Sequence, residues 1–314
     1  MRPAEPIDDA AVAALLPERP EDGHKGTFGT VLAVCGSPEY AGAALLAGTA
    51  ALRAGCGLVA LALPATLRAE LARRVPELVT PALPEAAPYV PDPVPALAAL
   101  AARRADALVV GCGLAPGPAT AALVRGLVAG EGPPAIPAVL DAEALAVLAA
   151  SPGWAAGRRR PLVLTPHPGE LARLDGRPPD PDDGARRAGA AALAEATGAV
   201  VVLKGARTVV AAPDGRCAVT DAANPALATA GTGDILAGVI ASLLAQGLAP
   251  RDAALAGVHL HATAGSAVAA RTGDAGLLAS DLLAELPRVR RALVLGRERR
   301  PIGFGAETRA GGPA

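Results

Sequence analysis

The sequence is short of aromatic residues and of excess charge of either sign. Phe, Tyr and Trp make up 2% of its 314 residues, whereas hydrophobic residues make up 52%. Lys and Arg number 29 against 30 Asp and Glu, and this balance gives no reason to expect binding to nucleic acid or to an acidic membrane surface. The length and the hydrophobic content are sufficient for one large α/β domain with a substantial core.

The sequence also lacks paired cysteines. Its four cysteines, Cys35, Cys56, Cys112 and Cys217, are scattered, and none belongs to a Cys-x-x-Cys pair. This usage is typical of proteins in a reducing compartment and disfavours a disulfide framework or a zinc site. We therefore expect small buried thiols and a cytoplasmic location.

Neither a secretory signal nor a membrane span stands out. The N-terminal segment MRPAEPIDDA is acidic and has no apolar core, so it does not resemble a secretory signal. The longest uncharged stretch, near 253–270, contains two His as well as Thr and Ser, which lipid would disfavour. The sequence thus predicts no membrane partner.

Short apolar runs alternate with helical patterns along most of the chain. The runs lack polar–apolar alternation, which is typical of strands covered on both faces. The predicted strands are 30–36, 58–63, 107–111, 137–141, 161–165 and 199–205. The predicted helices between them are 41–54, 66–73, 96–104, 118–129, 142–150, 167–174 and 184–197. This alternation predicts an α/β fold with a mostly parallel central sheet and helices on both faces.

The remaining segments complete the predicted fold. Two β-like runs flank the turn Pro213-Asp214-Gly215 and predict an antiparallel hairpin at one edge of the sheet. From residue 232 onward the pattern predicts two long helices and then a shorter one at 278–286. The proline-rich segment 84–95 is predicted to be a surface loop.

No linker or internal repeat divides the chain. We therefore expect a single catalytic domain over residues 1–296. The segment 297–314 is rich in Gly, Arg and Pro, and we expect it to be a disordered C-terminal tail.

The segment Ala230-Gly231-Thr232-Gly233-Asp234 places small residues and one acid directly before a strongly apolar helix. The first N–H groups of a helix have no partner in the helix, and the helix dipole adds positive potential there. The pattern therefore predicts an anion site formed by Gly231, Thr232 and Gly233, with Asp234 as a candidate acid or base. A simpler interpretation remains open, in which Asp234 only offsets the dipole.

Two more segments follow predicted strands and point to the same edge of the sheet. Lys204 and Gly205 end one strand, and His167 follows another within TPHPGELARL. Ligands of α/β proteins bind outside the carboxyl ends of their strands. The alternatives are a solvated lysine in an ordinary turn and a polar surface histidine.

The two histidines near the C-terminal end of the domain do not form a metal pair. His259 and His261 are two residues apart on a predicted helix and so face different directions, unlike an i, i+4 pair. We interpret them as helix-surface or interface residues.

Seven motifs in order resemble those of the NAD(P)H-hydrate dehydratases of the ribokinase-like superfamily. They are KGTFGTVL, GSPEYAGAALLAGTAALRAGCG, VVGCGLAPG, LDAEAL, LTPHPGELARL, VLKGART and NPALATAGTGDILAG. The resemblance covers about residues 20–288 and implies the three-layer ribokinase-like fold. Many relatives carry a fused epimerase domain for which this chain has no room, so we expect a stand-alone dehydratase.

The resemblance implies dehydration of hydrated NADH and NADPH, with ADP consumed and AMP and phosphate released. ATP is an alternative co-substrate, Mg²⁺ is expected on the nucleotide phosphates without a named protein ligand, and a homotetramer is expected. Asp234 is implied as the catalytic acid/base in contact with the hydrate. The other implied hydrate contacts are Ala43, Gly113 and His167. The implied nucleotide contacts are Lys204, Gly205, Ala206, Arg207, Thr208 and Gly233.

The sequence departs from the family pattern at three positions. Cys112 stands where relatives often have Pro, Ala115 replaces a common Gly, and Glu143 stands where Asp is frequent. Two other functions remain open from the residues alone. One is a small-molecule kinase of the same superfamily acting on a vitamin precursor, and the other is a non-catalytic nucleotide-binding protein.

Overall fold

A ten-stranded sheet runs through the middle of the molecule. The computed structural model describes residues 4–298. In chain order, the strands are β1 (Glu5–Pro6), β2 (Thr30–Val34), β3 (Leu58–Pro64), β4 (Ala82–Leu83), β5 (Glu85–Ala87), β6 (Val90–Pro91), β7 (Ala107–Val110), β8 (Ala138–Leu140), β9 (Leu162–Leu164), β10 (Val200–Leu203), β11 (Val209–Ala211) and β12 (Cys217–Val219). The spatial order is β1-β12-β11-β10-β9-β8-β7-β2-β3-β4, and β5 and β6 form a separate hairpin.

The sheet is parallel except where β11 pairs with β10 and with β12. Helices cover both of its faces. They are α1 (Asp9–Leu15), α2 (Ala41–Ala54), α3 (Ala65–Leu71), α4 (Pro93–Ala101), α5 (Pro118–Val128), α6 (Glu143–Ala149), α7 (Trp154–Gly157), α8 (Pro168–Asp175), α9 (Asp183–Thr197), α10 (Thr232–Ala245), α11 (Pro250–Thr272) and α12 (Asp281–Glu298), with one 3₁₀ turn at Pro225–Leu227.

Each central strand contributes to two hydrophobic layers. In β2, Val31 and Ala33 pack on the side of α2, α10 and α11, whereas Leu32 and Val34 pack on the side of α4, α5 and α6. All four side chains are buried. Because both faces of the strand are covered, its sequence is continuously apolar instead of alternating.

The predicted mostly parallel sheet with helices on both faces is confirmed. Every strand and helix predicted before residue 232 is present, and its ends differ from the prediction by at most three residues. The hairpin around Pro213-Asp214-Gly215 is also present, since β11 and β12 are antiparallel.

The segment 84–95 lies mostly at the surface, as predicted, but the prediction that it is a loop was wrong. The segment contains the β5–β6 hairpin and the start of α4. Pro93 stands in the first turn of α4, where the N–H that proline lacks would have no helical acceptor. Helix-starting prolines were therefore mistaken for loop prolines.

The C-terminal helix is longer than predicted. It was expected at 278–286, but α12 continues through Pro287 to Glu298. The expected tail 297–314 therefore begins inside a helix, and its remainder from residue 299 lies outside the described residues. The single domain over 1–296 stays a prediction.

By length and composition alone, α11 could cross a membrane. Its most apolar 18-residue window has a mean hydropathy of 1.2, but 61% of that window is buried inside the fold. Contacts with α1, α10 and α12 cover much of this helix. Among the residues the structure describes, α11 is the one helix that is both long enough and apolar enough to span a membrane.

Helix α10 packs closely against α2. A Cβ atom added to Gly238 would lie 2.1 Å from the carbonyl oxygen of Ala47, which belongs to the backbone of α2. Glycine thus lets the two helices approach, and this contact sets the depth of α10 behind the edge of the sheet.

We expect Gly238→Ala to lower the free energy of unfolding by about 2–4 kcal/mol, because the two helix backbones would have to separate. The matched control is Gly296→Ala in α12, where an added Cβ meets no atom within 4 Å. That change should stabilise the protein slightly, by about 0.5–1 kcal/mol. Urea unfolding monitored by circular dichroism measures both, and equal effects would contradict the packing argument.

Candidate functional site

Five neighbouring strands deliver polar loops to one edge of the sheet. In spatial order β10, β9, β8, β7 and β2 end just before Lys204, Thr165, Asp141, Gly111 and Cys35. The carboxyl ends of parallel strands meet at one edge, which explains why segments far apart in sequence converge here. The N-terminal end of α10 lies at the same edge.

The turn before α10 leaves backbone N–H groups free. Gly231 caps the helix with φ of +91°, a conformation that glycine adopts without strain. The Thr232 hydroxyl lies 2.9 Å from the carbonyl oxygens of both Leu227 and Thr229, which fixes the turn. Within the described part of the chain, the amides of Gly233 and Asp234 have no hydrogen-bond acceptor. These amides and the helix dipole suit an anion.

A histidine that we had interpreted as a surface or interface residue lies behind this turn. His261 donates from Nε2 to the carbonyl oxygen of Thr232 at 2.9 Å. Burial lowers the pKa of His261 to about 4, so its ring is neutral at pH 7. That prediction was wrong for His261, since the ring supports the anion site. Its neighbour His259 pairs with Asp9 on α1 at 2.8 Å.

Lys204 is held by two carboxylates. Its Nζ lies 2.7 Å from Oδ1 of Asp141 and 3.6 Å from Oε2 of Glu170. Burial alone would lower the pKa of Lys204, but the charges of Asp141 and Glu170 outweigh burial and raise it. The lysine is therefore a fixed positive charge at the edge of the sheet.

Asp234 lies beside this ion pair and holds protons more tightly than an ordinary aspartate. Burial, followed by repulsion from Asp141, raises the pKa of Asp234 to about 6, while Cys112 and Lys204 act in the opposite direction. The carboxyl is thus ionised at pH 7 but still basic enough to accept a proton from a substrate.

A cavity of about 400 Å³ opens beside Lys204 and Gly233, and Asp234 and Asp141 are not among its lining residues. It falls within the range of small-ligand sites in proteins. Its lining includes Lys204, Gly205, Ala206, Thr208, Thr232, Gly233 and His261, together with residues of the 220–228 segment and of α10 and α11. The structure thus brings five of the predicted nucleotide contacts to one cavity.

Arg207 is the predicted nucleotide contact that does not line the cavity. Its side chain pairs with Asp183 at 2.9 Å, and both side chains are about half exposed. The predicted contact of Arg207 with nucleotide stays a prediction.

The predicted hydrate contacts divide into two groups. Ala43 and Gly113 are adjacent, since a Cβ added to Gly113 would lie 2.8 Å from the Cβ of Ala43. Gly113 has φ of +68°. His167 caps α8, where its Nδ1 accepts from the amide of Gly169 at 3.0 Å. These roles toward a hydrate stay predictions.

Glu170 joins His167 to the lysine. Its carboxylate accepts from the His167 amide at 2.7 Å and also approaches Lys204. The sequence showed Glu170 only as a first-turn acid of a helix, and gave no sign of this second contact.

Asp141, like Glu170 and His261, is a residue of the site that we did not predict. Its signal was present, because it directly follows the apolar strand PAVLD at the ligand-binding edge. The pairing with Lys204 joins residues 63 apart, and a contact of this kind cannot be read from one sequence.

The acidic groups do not fit a resident magnesium ion. Cys112, Asp141 and Asp234 each place one potential ligand atom within 4.8 Å of the others. The neighbouring Cys35 thiol and burial raise the pKa of Cys112 well above its usual value, so it stays a neutral thiol. Magnesium prefers oxygen ligands in octahedral geometry. The Asp141 carboxylate is already paired with the ammonium of Lys204. In residues 4–298 we therefore assign no protein ligand to this ion.

Fold and site together define a class of protein. A largely parallel sheet between helical layers, with an acid at the N-terminal turn of a helix beside a ligand cavity, is the arrangement of ribokinase-like proteins. Within this class, the chain belongs to the NAD(P)H-hydrate dehydratase family, whose sequence model matches residues 31–288.

Individual relatives agree with this assignment. A bifunctional NAD(P)H-hydrate repair enzyme of Moorella thermoacetica is 46% identical over 281 residues, an alignment that covers 88% of this chain and 52% of the relative. The chain thus spans about half the length of such bifunctional relatives. An ADP-dependent (S)-NAD(P)H-hydrate dehydratase of Neisseria meningitidis serogroup B is 40% identical over 270 residues, covering 84% of this chain and 86% of that protein.

A solved structure has the same fold. The ADP/ATP-dependent NAD(P)H-hydrate dehydratase of Bacillus subtilis, co-crystallised with ATP/Mg²⁺, superposes with a TM-score of 0.78 at 32% identity. The superposition covers 91% of this chain and 97% of the other. The ribokinase-like three-layer fold implied by the motifs is confirmed.

We expect Asp234→Asn to stabilise the protein at pH 7.5. An acid whose pKa is higher in the folded state is destabilising when ionised, so stability rises as the pH falls from about 6 toward the unfolded value of about 4. The asparagine side chain should raise the free energy of unfolding by about 1–3 kcal/mol at pH 7.5 and should leave it unchanged below about pH 4. Thermal melts at both pH values measure this difference.

The exposed Asp221 provides the matched control for that experiment. Asp221→Asn should leave the melting temperature unchanged at both pH values. If Asp234→Asn destabilised the protein at pH 7.5, the ionised Asp234 carboxylate would not be destabilising to the folded state, and the argument would be contradicted.

Proposed function

We propose that this chain repairs damaged nicotinamide cofactors. It dehydrates hydrated NADH and NADPH to the intact reduced forms while ADP is split into AMP and phosphate. The family match and the printed activities of the Neisseria and Bacillus relatives support this reaction. The observation that carries it is a basic carboxylate, Asp234, directly beside unpaired helix amides and Lys204.

The first step is a phosphoryl transfer to the ring hydroxyl of the hydrate. Asp234 accepts the hydroxyl proton as the oxygen attacks the terminal phosphorus of the nucleotide. The amides of Gly233 and Asp234 and the ammonium of Lys204 stabilise the charge on the phosphoryl oxygens. The products of this step are AMP and a phosphate ester of the hydrate.

The second step is elimination of phosphate. The lone pair of the ring nitrogen expels the phosphate, and loss of a proton from the adjacent ring carbon restores the dihydronicotinamide. Hydroxide leaves such a ring poorly, whereas phosphate leaves well. This difference explains why a net dehydration would consume a nucleotide.

Binding roles are proposed for the remaining residues. Gly233 and the segment 204–208 contact the adenine nucleotide, supported by the cavity that most of them line. Ala43, Gly113 and His167 contact the hydrate. Magnesium would bind with the nucleotide and would supply positive charge to its phosphates, and co-crystallisation of the Bacillus relative with ATP/Mg²⁺ supports this.

A homotetramer in the cytoplasm is the proposed working state. All four cysteines are free and buried, which agrees with a reducing compartment. The family resemblance is the source of the tetramer, and light scattering coupled to size-exclusion chromatography measures it directly.

The assay that tests the proposal combines the purified protein with hydrated NADH and ADP. We expect recovery of the dihydronicotinamide absorbance together with equal amounts of AMP and phosphate. A kinase of the same superfamily would instead accumulate a phosphorylated alcohol, and a binding protein would consume no nucleotide. A parallel assay with ATP ranks the two nucleotides, and a parallel assay with hydrated NADPH ranks the two hydrates.

We expect Asp234→Asn to lower turnover at least about 10²-fold, because the amide cannot accept the hydroxyl proton. Binding of ADP should persist, since the amides and Lys204 are unchanged. Steady-state rates and isothermal titration of ADP measure the two quantities, with Asp221→Asn as the control. Turnover near that of the unmodified protein would exclude Asp234 as the base.

A further inference from the structure

Asp141 is a buried charged residue that the proposed mechanism has not used. We propose that Asp141 is a positioning residue, which holds Lys204 beside the first turn of α10 and lies close enough to Asp234 for its charge to act on that carboxyl. This inference rests on the proposed function, because it assigns Asp141 a part in the same proton transfer.

The backbone fixes Asp141 rigidly. Its amide donates to the carbonyl oxygen of Val110 at 3.1 Å, and its own carbonyl accepts from the amide of Ala144 at 3.0 Å. The next residue, Ala142, has φ of +48°, in the region that favours glycine. Strained residues of this kind cluster at functional sites, where surrounding contacts hold them in place. Asp141 itself is 2% exposed, so its carboxylate cannot swing into solvent.

Asp141 directs Lys204 toward the first turn of α10. The 2.7 Å contact with Asp141 is the shorter of the two ion pairs of this lysine. A Cβ added to Gly233 would lie 3.4 Å from Nζ of Lys204, so the ammonium lies beside the first turn of α10. An ammonium has three donors. Asp141 accepts from one of them at 2.7 Å, whereas Glu170 lies 3.6 Å away and beyond hydrogen-bond distance, so donors remain for a phosphate.

Asp141 also acts on Asp234 through its charge. Oxygens of the two carboxylates lie within 4.8 Å, close enough for like charges to disfavour double ionisation. Lys204 lies 2.7 Å from Asp141, and after burial the charge of Asp141 is the next largest cause that raises the pKa of Asp234. Asp141 and Lys204 therefore shift the proton affinity of Asp234 in opposite directions.

The other titratable groups near Asp234 do not account for the same change in its pKa. Cys112, from the loop after β7, stays a neutral thiol, and His261 on α11 is neutral above about pH 4. Glu170 on α8 contacts Lys204. The remaining charged groups that face Asp234 are thus Asp141 and Lys204.

The test measures the pH dependence of kcat/KM for hydrated NADH at saturating ADP, from about pH 5 to about pH 8. Asp141→Asn should move the acid limb to lower pH and lower the plateau at least about tenfold, because the base is weaker and Lys204 is misplaced. Lys204→Met should move the acid limb to higher pH. Asp141→Glu, which keeps the charge, should leave the limb near its original position.

Glu143→Gln is the matched control. Glu143 is a partly buried acid two residues further along the same segment, and it does not contact Lys204. The change should affect neither the limb nor the plateau. A purely structural role of Asp141 would lower activity without moving the limb, and that result would overturn the proposal, as would shifts of the two variants in the same direction.

A second readout separates this inference from the reaction itself. Carbon-13 NMR follows the titration of the Asp234 carboxyl without nucleotide or hydrate, with Asp234→Asn identifying the resonance. We expect opposite shifts in Asp141→Asn and Lys204→Met. If these occur but hydrated NADH is not converted, the proposed function fails and the placement of Asp141 stands. If hydrate is converted but the carboxyl titration does not move, the inference fails. Should Asp141→Asn not fold, Asp141→Ser takes its place, and an unmoved titration of the Asp234 carboxyl in that variant overturns the inference.

Discussion

The central constraint on this site is that three charged side chains lie close together at one edge of the sheet. Two carboxylates, Asp141 and Asp234, share a space that contains a single ammonium, Lys204. Asp141 is paired with Lys204, whereas Asp234 has no ion-pair partner among the described residues, and this difference underlies the proposed roles of an anchor and a base. The same edge presents free amides at the start of α10, so the proposed base and the proposed phosphate site belong to adjoining residues of one turn.

Packing of the strands and helices holds that edge of the sheet in place. The strands β7 to β10 are buried on both faces, which makes their ends rigid reference points. Close contact of α10 with α2 through Gly238 sets the depth of the helix that carries Asp234. His261 ties the first turn of α10 to α11. Stability elsewhere in the core thus offsets the cost of a partly buried carboxylate without an ion-pair partner.

Local patterns predicted most of the fold and part of the site. Continuous apolar runs marked the strands. The small residues before Asp234 marked the turn whose amides are free, and the anion site there stays a prediction. The sequence could not show that Lys204 pairs with Asp141, that Glu170 reaches the same lysine, or that His261 faces inward, since each depends on packing between distant elements. The prediction of a loop over 84–95 failed for a local reason. A proline in the first turn of a helix, such as Pro93, cannot be told from a loop proline by sequence.

The most direct measurement follows the fate of one oxygen atom. The ring hydroxyl of the hydrate is labelled with oxygen-18, and the protein is given ADP for a single turnover. Transfer of phosphorus to that oxygen, with Asp234 as base, predicts that the label appears in the released inorganic phosphate. Label found in water, with unlabelled phosphate, would show that the nucleotide is hydrolysed separately and would contradict the account.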